Sequence, residues 1–142
     1  MRLKEELEGL QDVLEEIKEE EEEVPIIVEG RKDVQALKEL GFEREIIRIK
    51  KNDTIFHIIE DLREEYERVI ILTDWDSTGG KLSGKIKKAC QANIIDYDLE
   101  YRREIIKYVK KEIKDVESIP SFIKRAERIV SNPYESRNLK KS

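Results

Sequence analysis

With 142 residues the chain has room for one domain with a real hydrophobic core, and 43% of it is charged against 38% hydrophobic. No run of 18 apolar residues occurs, so a membrane-spanning helix is excluded and a soluble, cytoplasmic protein is expected. The single cysteine, Cys90, excludes an internal disulfide and a cysteine-based zinc site. His57, the one histidine, is all that a Ser-His-Asp or Cys-His mechanism would have, and nothing around it suggests one. The net charge of −5 is unevenly spread: residues 1–23 carry 3 basic and 11 acidic side chains, residues 101–142 carry 12 basic and 6 acidic. The overall sign therefore argues little against nucleic-acid binding, since the basic third can supply phosphate contacts.

Residues 2–23 read as one helix, because Leu3, Leu7, Leu10, Leu14 and Ile17 alternate at spacings of four and three. This narrow seam either packs on the parent domain or dimerises. The run Glu19–Glu23 reads as its solvated end. Val24–Val28 is a buried-strand candidate with Pro25 tolerated near its start. It runs into Glu29-Gly30-Arg31-Lys32-Asp33, where Asp33 is placed to cap a helix through Val34, Leu37, Lys38 and Leu40 that stops at Gly41. Glu45–Ile49 reads as a second strand. Thr54–Tyr66 reads as a helix with Ile55, Ile58, Ile59 and Leu62 on one face, capped by Asp53 or Thr54, with His57 exposed or at the core edge.

Val69-Ile70-Ile71-Leu72 is the strongest buried strand, a continuous apolar run. After Thr73, Asp74 and Asp76 stand two apart, so an extended backbone points both carboxylates to one side and Trp75 to the other. Two like charges at the mouth of an apolar strand are costly unless a cation sits with them, and Mg²⁺ suits this because it takes one or two carboxylates and keeps waters for a phosphate. The bland alternative is a capping or turn pair. Gly79-Gly80 is read as a tight turn into a helix from about Thr78 to Ala92, which carries Lys81, Lys85, Lys87 and Lys88. Lys81 meets a phosphate or lies on a solvated face. Winding of β, α and β units places Glu29 beside Asp74 and Asp76 at one sheet edge, with Arg31 and Lys32 close by.

Ala92–Asp96 reads as a fourth parallel strand. A helix from Asp98 follows, through Ile105, Ile106, Val109 and Ile113, broken by Ile119-Pro120. Ser121–Val130 makes a last helix, and residues after Asn132-Pro133 read as a mobile tail with Lys140 and Lys141. Arg102-Arg103 with Lys107, Lys110, Lys111 and Lys114 forms the best basic stripe, either a nucleic-acid surface or an ordinary solvated face.

The segment IIVEGRKD (Ile26–Asp33), followed some forty residues later by IILTDWDSTGG (Ile70–Gly80), resembles the two signatures of the Toprim domain. That domain is shared by type IA and II topoisomerases, bacterial primases, overcoming-lysogenisation-defect nucleases, recombination-repair proteins and ribosomal-RNA maturases. The resemblance implies an α/β, Rossmann-like three-layer domain with a four-stranded parallel sheet over residues 24–97. An N-terminal helix (1–23) and a C-terminal helical extension (98–142) flank it. It also implies Glu29 as general acid/base or metal ligand, and Asp74 and Asp76 as ligands of one or two Mg²⁺ ions, with Mn²⁺ as a substitute. Gly79 completes DxDxxG. The layout is most similar to small stand-alone prokaryotic Toprim proteins, whose nearest studied relatives are the maturases.

The expected function is therefore Mg²⁺-dependent chemistry on nucleic-acid phosphodiesters, nuclease-like, on RNA or DNA. Arg31, Lys32 and Lys81 are the expected phosphate contacts, and Gly30 and Gly79 the structural turns. No second globular unit is present to offer the strand-attacking tyrosine of a topoisomerase, and the zinc-binding region of a primase is missing. The alternative is a non-catalytic metal-binding subunit that holds nucleic acid within a homodimer or larger complex. A small doubly wound domain with coincidental acids is the third reading.

Overall fold

Four short strands, Ile26–Val28 (β1), Ile46–Arg48 (β2), Arg68–Ile71 (β3) and Asp96–Asp98 (β4), form one sheet in the order β2-β1-β3-β4. All pairings are parallel, with Ile26 opposite Ile46 and Ile70, and Ile70 opposite Asp98. This is a computed structural model, and it describes residues 1–21, 23–50 and 53–132. The helices are Leu3–Glu19 (α1), Arg31–Glu39 (α2), Ile55–Glu65 (α3), Ser77–Asn93 (α4), Glu100–Val109 (α5) and Ile119–Ser131 (α6). A 3₁₀ turn at Val116–Ser118 precedes α6.

The apolar runs of β1 and β3 form the two central strands because both of their faces are covered. Ile26, Ile27, Val28, Val69, Ile70 and Ile71 are all fully buried. Alternation sends Ile26, Val28, Ile70 and Leu72 into one core with Leu37, Phe42, Ile105 and Phe122. Ile27, Val69 and Ile71 enter the other with Ile49, Ile59, Ile86 and Cys90. The layers are thus α3 and α4 on one face of the sheet and α1, α2, α5 and α6 on the other. Each buried aliphatic side chain contributes roughly 1.5–3 kcal/mol by leaving water. The expected α/β three-layer domain with a four-stranded parallel sheet is what the chain forms.

The winding sets the functional crevice. From β1 the chain passes through α2 to β2 on one side, and from β3 through α4 to β4 on the other. The connections leaving the carboxyl ends of β1 and β3 therefore diverge at the sheet's topological switch point, where open α/β sheets hold ligands. The seam of α1 is buried through Leu7, Leu10, Leu14 and Ile17, and this helix packs on α5 and α6 within the first core. At the end of α2, Gly41 takes φ +94° and Phe42 N–H donates to the Leu37 carbonyl at 3.1 Å, the left-handed stop anticipated for that glycine. No helix among the described residues is long and apolar enough to cross a membrane.

Three expectations about the second half are corrected. The fourth strand is Asp96–Asp98 and not Ala92–Asp96, because α4 runs on to Asn93 and Ile94 ends it in the left-handed conformation, φ 54°. Only one of the two isoleucines that suggested a strand is buried: Ile95 enters the core, whereas Ile94 is 80% exposed. Pro120 does not break a helix. It lies in the first turn of α6, where its missing N–H costs nothing, and α5 has already ended at Val109. The glycines Gly79 and Gly80 lie inside α4 with no positive φ, so they do not make the turn. The tail with Lys140 and Lys141 lies outside the described residues.

Ile94 is a β-branched residue in a backbone region that costs an L-residue about 1–2 kcal/mol, and its side chain gains little burial in return. Ile94→Gly is expected to raise the urea midpoint by an amount equivalent to about 0.5–1 kcal/mol. An unchanged or lower midpoint would show that Ile94 makes a contact that offsets the strain.

Candidate functional site

The three acids gather where β1 and β3 end. Glu29 directly follows β1, and its Oε1 accepts the Asp74 backbone N–H at 3.0 Å, tying the two strand ends together. Asp74 Oδ1 in turn accepts the Val116 N–H at 3.0 Å. Asp76 caps α4, its Oδ1 accepting the Gly79 N–H at 2.7 Å. Each carboxylate is thus held through one oxygen by a backbone N–H, which leaves its second oxygen for another partner.

Gly79 explains why the turn can be this close. A Cβ there would lie 2.0 Å from the Asp74 carbonyl oxygen and 2.8 Å from Glu29 Oε1. The buried Thr73 hydroxyl donates to the Gly79 carbonyl at 2.9 Å and fixes the same approach from below. Gly79 is required for proximity and not for conformation. Gly30 has φ −126°, which any residue adopts, and its N–H donates to Asp33 Oδ2 at 3.0 Å.

The electrostatics are strained toward negative charge. Burial, and then the charges of Asp33, Asp115 and Asp76, push the Asp74 carboxyl up to about 6, while the Val116 N–H works in the opposite direction. Glu29 is raised by burial and then by Asp74, with Asp76 adding to it. Asp33, 4% exposed, is raised by burial and by Glu117, Glu29 and Asp115. One cation answers them from inside the fold. Arg102, half-buried on α5, donates through Nε to the Thr73 carbonyl at 2.9 Å and through a terminal nitrogen to the Asp74 carbonyl at 2.7 Å. It braces the backbone under the carboxylates and offsets part of the charge at Glu29, but its donors go to carbonyls and not to the carboxylates.

Sequence reasoning missed Arg102, Asp33 and Val116 as parts of this site. The sequence places Arg102 in a basic stripe with Arg103 and Lys107; the local hint is Asp98, whose Oδ2 accepts the Tyr101 N–H at 2.9 Å and so sets the start of α5. Trp75 packs against the first core, its Nε1–H donating to the Ile113 carbonyl at 2.8 Å. That bond and the one to Val116 clamp residues 74–75 to the segment after α5.

The expected phosphate contacts are dispersed. Arg31 and Lys32 are exposed on the first turn of α2, and Lys32 lines a cavity with Glu117 and Ser121 that does not include Glu29. Lys81 lines a groove that does reach Glu29. His57 is exposed beside Glu60, and the thiol of Cys90, fully buried, is pushed up to about 12 and is inert.

Among the described residues no group of three or more His, Cys, Asp or Glu side chains forms a ready metal cage. Mg²⁺ does not demand one, because it keeps several waters and takes one or two carboxylates. The donor set fits it in kind: hard carboxylate oxygens, one on each acid not engaged by a backbone N–H, and the raised proton affinities of Glu29 and Asp74 are what a divalent charge would relieve.

Two tests follow from this geometry. Gly79→Ala is expected to cost at least about 2 kcal/mol in urea unfolding, whereas Gly80→Ala, with nothing within 4 Å, is expected to gain about 0.5–1 kcal/mol. Equal effects would mean that the close approach at Gly79 is not what restrains the site. For pH, an Asp74 carboxyl raised from 3.8 to about 6 binds its proton more tightly when folded. Its contribution favours folding below the lower value and is lost as pH rises through the upper one. In the absence of divalent ions, wild type should lose more stability between pH 4 and 6 than Asp74→Asn does, measured by urea midpoints; parallel curves would contradict the assignment.

The Toprim domain family matches residues 24–108, which takes in β1 to β4 and the Glu29, Asp74 and Asp76 positions. A UPF0292 protein of Methanocaldococcus jannaschii is 38% identical over 125 residues, covering 88% of this chain and 98% of that one. One from Methanosarcina barkeri is 36% identical over 100 residues, 70% of this chain and 69% of the other. A solved structure of a protein from Aquifex aeolicus superposes with a TM-score of 0.66 at 26% identity, covering 77% of this chain and 96% of its own. A Toprim domain implies a metal-dependent role connected with nucleic acids. Strand ends, acids and relatives agree: the chain is a small Toprim-domain protein of the UPF0292 family.

Proposed function

We propose that this protein cleaves nucleic-acid phosphodiesters with the help of Mg²⁺, in the manner of a nuclease. The observation that carries the reading is the pairing of Glu29 with the Asp74 backbone across two adjacent strand ends, with both carboxyls raised by burial, Glu29 further by Asp74, and Asp74 by Asp33, Asp115 and Asp76. Asp74 and Asp76 are assigned to the cation, with Glu29 beside them. Bound Mg²⁺, or Mn²⁺ in its place, would supply electrophilic activation of the phosphodiester and stabilise the leaving oxygen.

The chain's own groups supply the rest. Burial and the charges of Asp74 and Asp76 raise the proton affinity of Glu29, the direction that suits a general acid/base. Glu29 Oε2, the oxygen not held by Asp74, is assigned to that transfer. Arg102 keeps the Thr73–Asp74 backbone in place while charge develops above it. Lys81, Arg31 and Lys32 are assigned to the phosphates flanking the reaction. RNA and DNA both carry the required group.

The test is cleavage of structured RNA and of single-stranded DNA in Mg²⁺. Wild type is expected to cleave at least one of them. Glu29→Gln, which keeps an acceptor for the Asp74 N–H, should lose about 10²–10⁴-fold in rate with its unfolding temperature little changed. Nucleic-acid binding without cleavage by wild type in either metal would instead identify a binding subunit of a larger assembly.

A further inference from the structure

On the side of the site facing α3 and α4, Glu29 closes one end of a groove of about 430 Å³. This is within the roughly 300–1,000 Å³ range of pockets that hold small organic groups. Its wall is aliphatic: Ile49 after β2, Ile55 at the start of α3 and Leu82 on α4. Lys50, Lys81 and Lys85 stand around it, and among the described residues none of their ammonium groups is in an ion pair. Lys81 and Lys85 are four apart on α4, a like-charge pair that disfavours the helix unless an anion sits between them. The groove thus sets three ammonium groups around one apolar wall, next to the proposed reacting carboxylate.

We infer that this groove seats an unpaired nucleotide next to the scissile phosphate, with its base against Ile49, Ile55 and Leu82 and its backbone phosphates on Lys81 and Lys85. The inference rests on the nuclease reading and names its substrate class as single-stranded nucleic acid. A base within a duplex has its edges paired and its faces stacked, whereas an unpaired base can be splayed into a side-chain groove. Among the described residues the wall has no aromatic ring, so the base is held by apolar contact and the gain per base lies at the low end of what stacking platforms give.

The test is fluorescence anisotropy with labelled oligomers of about eight nucleotides. They are oligo(dT), oligo(U), an abasic strand of equal charge and a hairpin duplex, each in EDTA and again in Ca²⁺. Single strands should bind about tenfold tighter than the duplex, and the abasic strand about fivefold weaker than the intact one. Leu82→Ser should reduce the intact strand to the abasic level while leaving the abasic strand unchanged, which also certifies the fold. Lys85→Gln should weaken both strands and lower the slope of affinity against salt. Equal binding of intact and abasic strands, duplex binding as tight as single strand, or no binding in either buffer would overturn the proposal. Because no turnover is read, loss of the groove leaves the Mg²⁺ chemistry standing, and failure of cleavage leaves the groove standing.

Discussion

One hydrogen bond joins the two halves of the site: the Asp74 N–H to the Glu29 carboxylate at 3.0 Å. It forms because β1 and β3 are neighbours whose connections leave in opposite directions, so their carboxyl ends meet with nothing between them. Everything close to it is arranged to permit that approach. Gly79 has no side chain to block it, Thr73 draws the Gly79 carbonyl down, and the segment at Ile113–Val116 holds residues 74 and 75 from the opposite side. The α5–α6 region is therefore part of the site's frame, although it contributes no acid nearer than Asp115 and Glu117.

The arrangement is electrostatically unfavourable as it stands. Burial and mutual repulsion raise the proton affinity of Glu29, Asp33 and Asp74 together. Arg102, the half-buried cation beside them, spends its donors on backbone carbonyls. Removing Arg102 would leave those carbonyls half-buried and unpaired, a larger loss than an exposed ion pair would represent. Carboxylates so placed are relieved either by protons or by a divalent cation. A site poised between those two states suits reversible metal binding.

Much of this was legible in the sequence because it is local. The runs Ile26–Val28 and Val69–Leu72 read as buried strands, the acids that end them read as neighbours, and Gly41 read as a helix stop. The resemblance carried by Glu29-Gly30 and Asp74-Trp75-Asp76 gave the same fold. What could not be read was non-local. Arg102 lies 28 residues beyond the carbonyl it holds, and Val116 lies 42 beyond Asp74. Their roles come from how α5 and the 3₁₀ turn pack, and no pattern in their own segments announces it. Ile94-Ile95 misled for the opposite reason: a two-residue apolar pair is compatible with a strand, and only packing decided that one member turns outward. Gly79 reads in the sequence as a turn residue, whereas what constrains it is the Asp74 carbonyl beside it.

The measurement that tests the central claim most directly is calorimetric titration of Mg²⁺ into wild type and Asp74→Asn near pH 6, in two buffers of different ionisation enthalpy. If the crowded carboxylates await a cation, wild type binds saturably and releases protons as it does so, because a metal displaces the proton that Asp74 partly holds at that pH. Asp74→Asn should show neither the heat nor the proton release. Absence of saturable binding by wild type, or binding that is unchanged in the variant, would contradict the account.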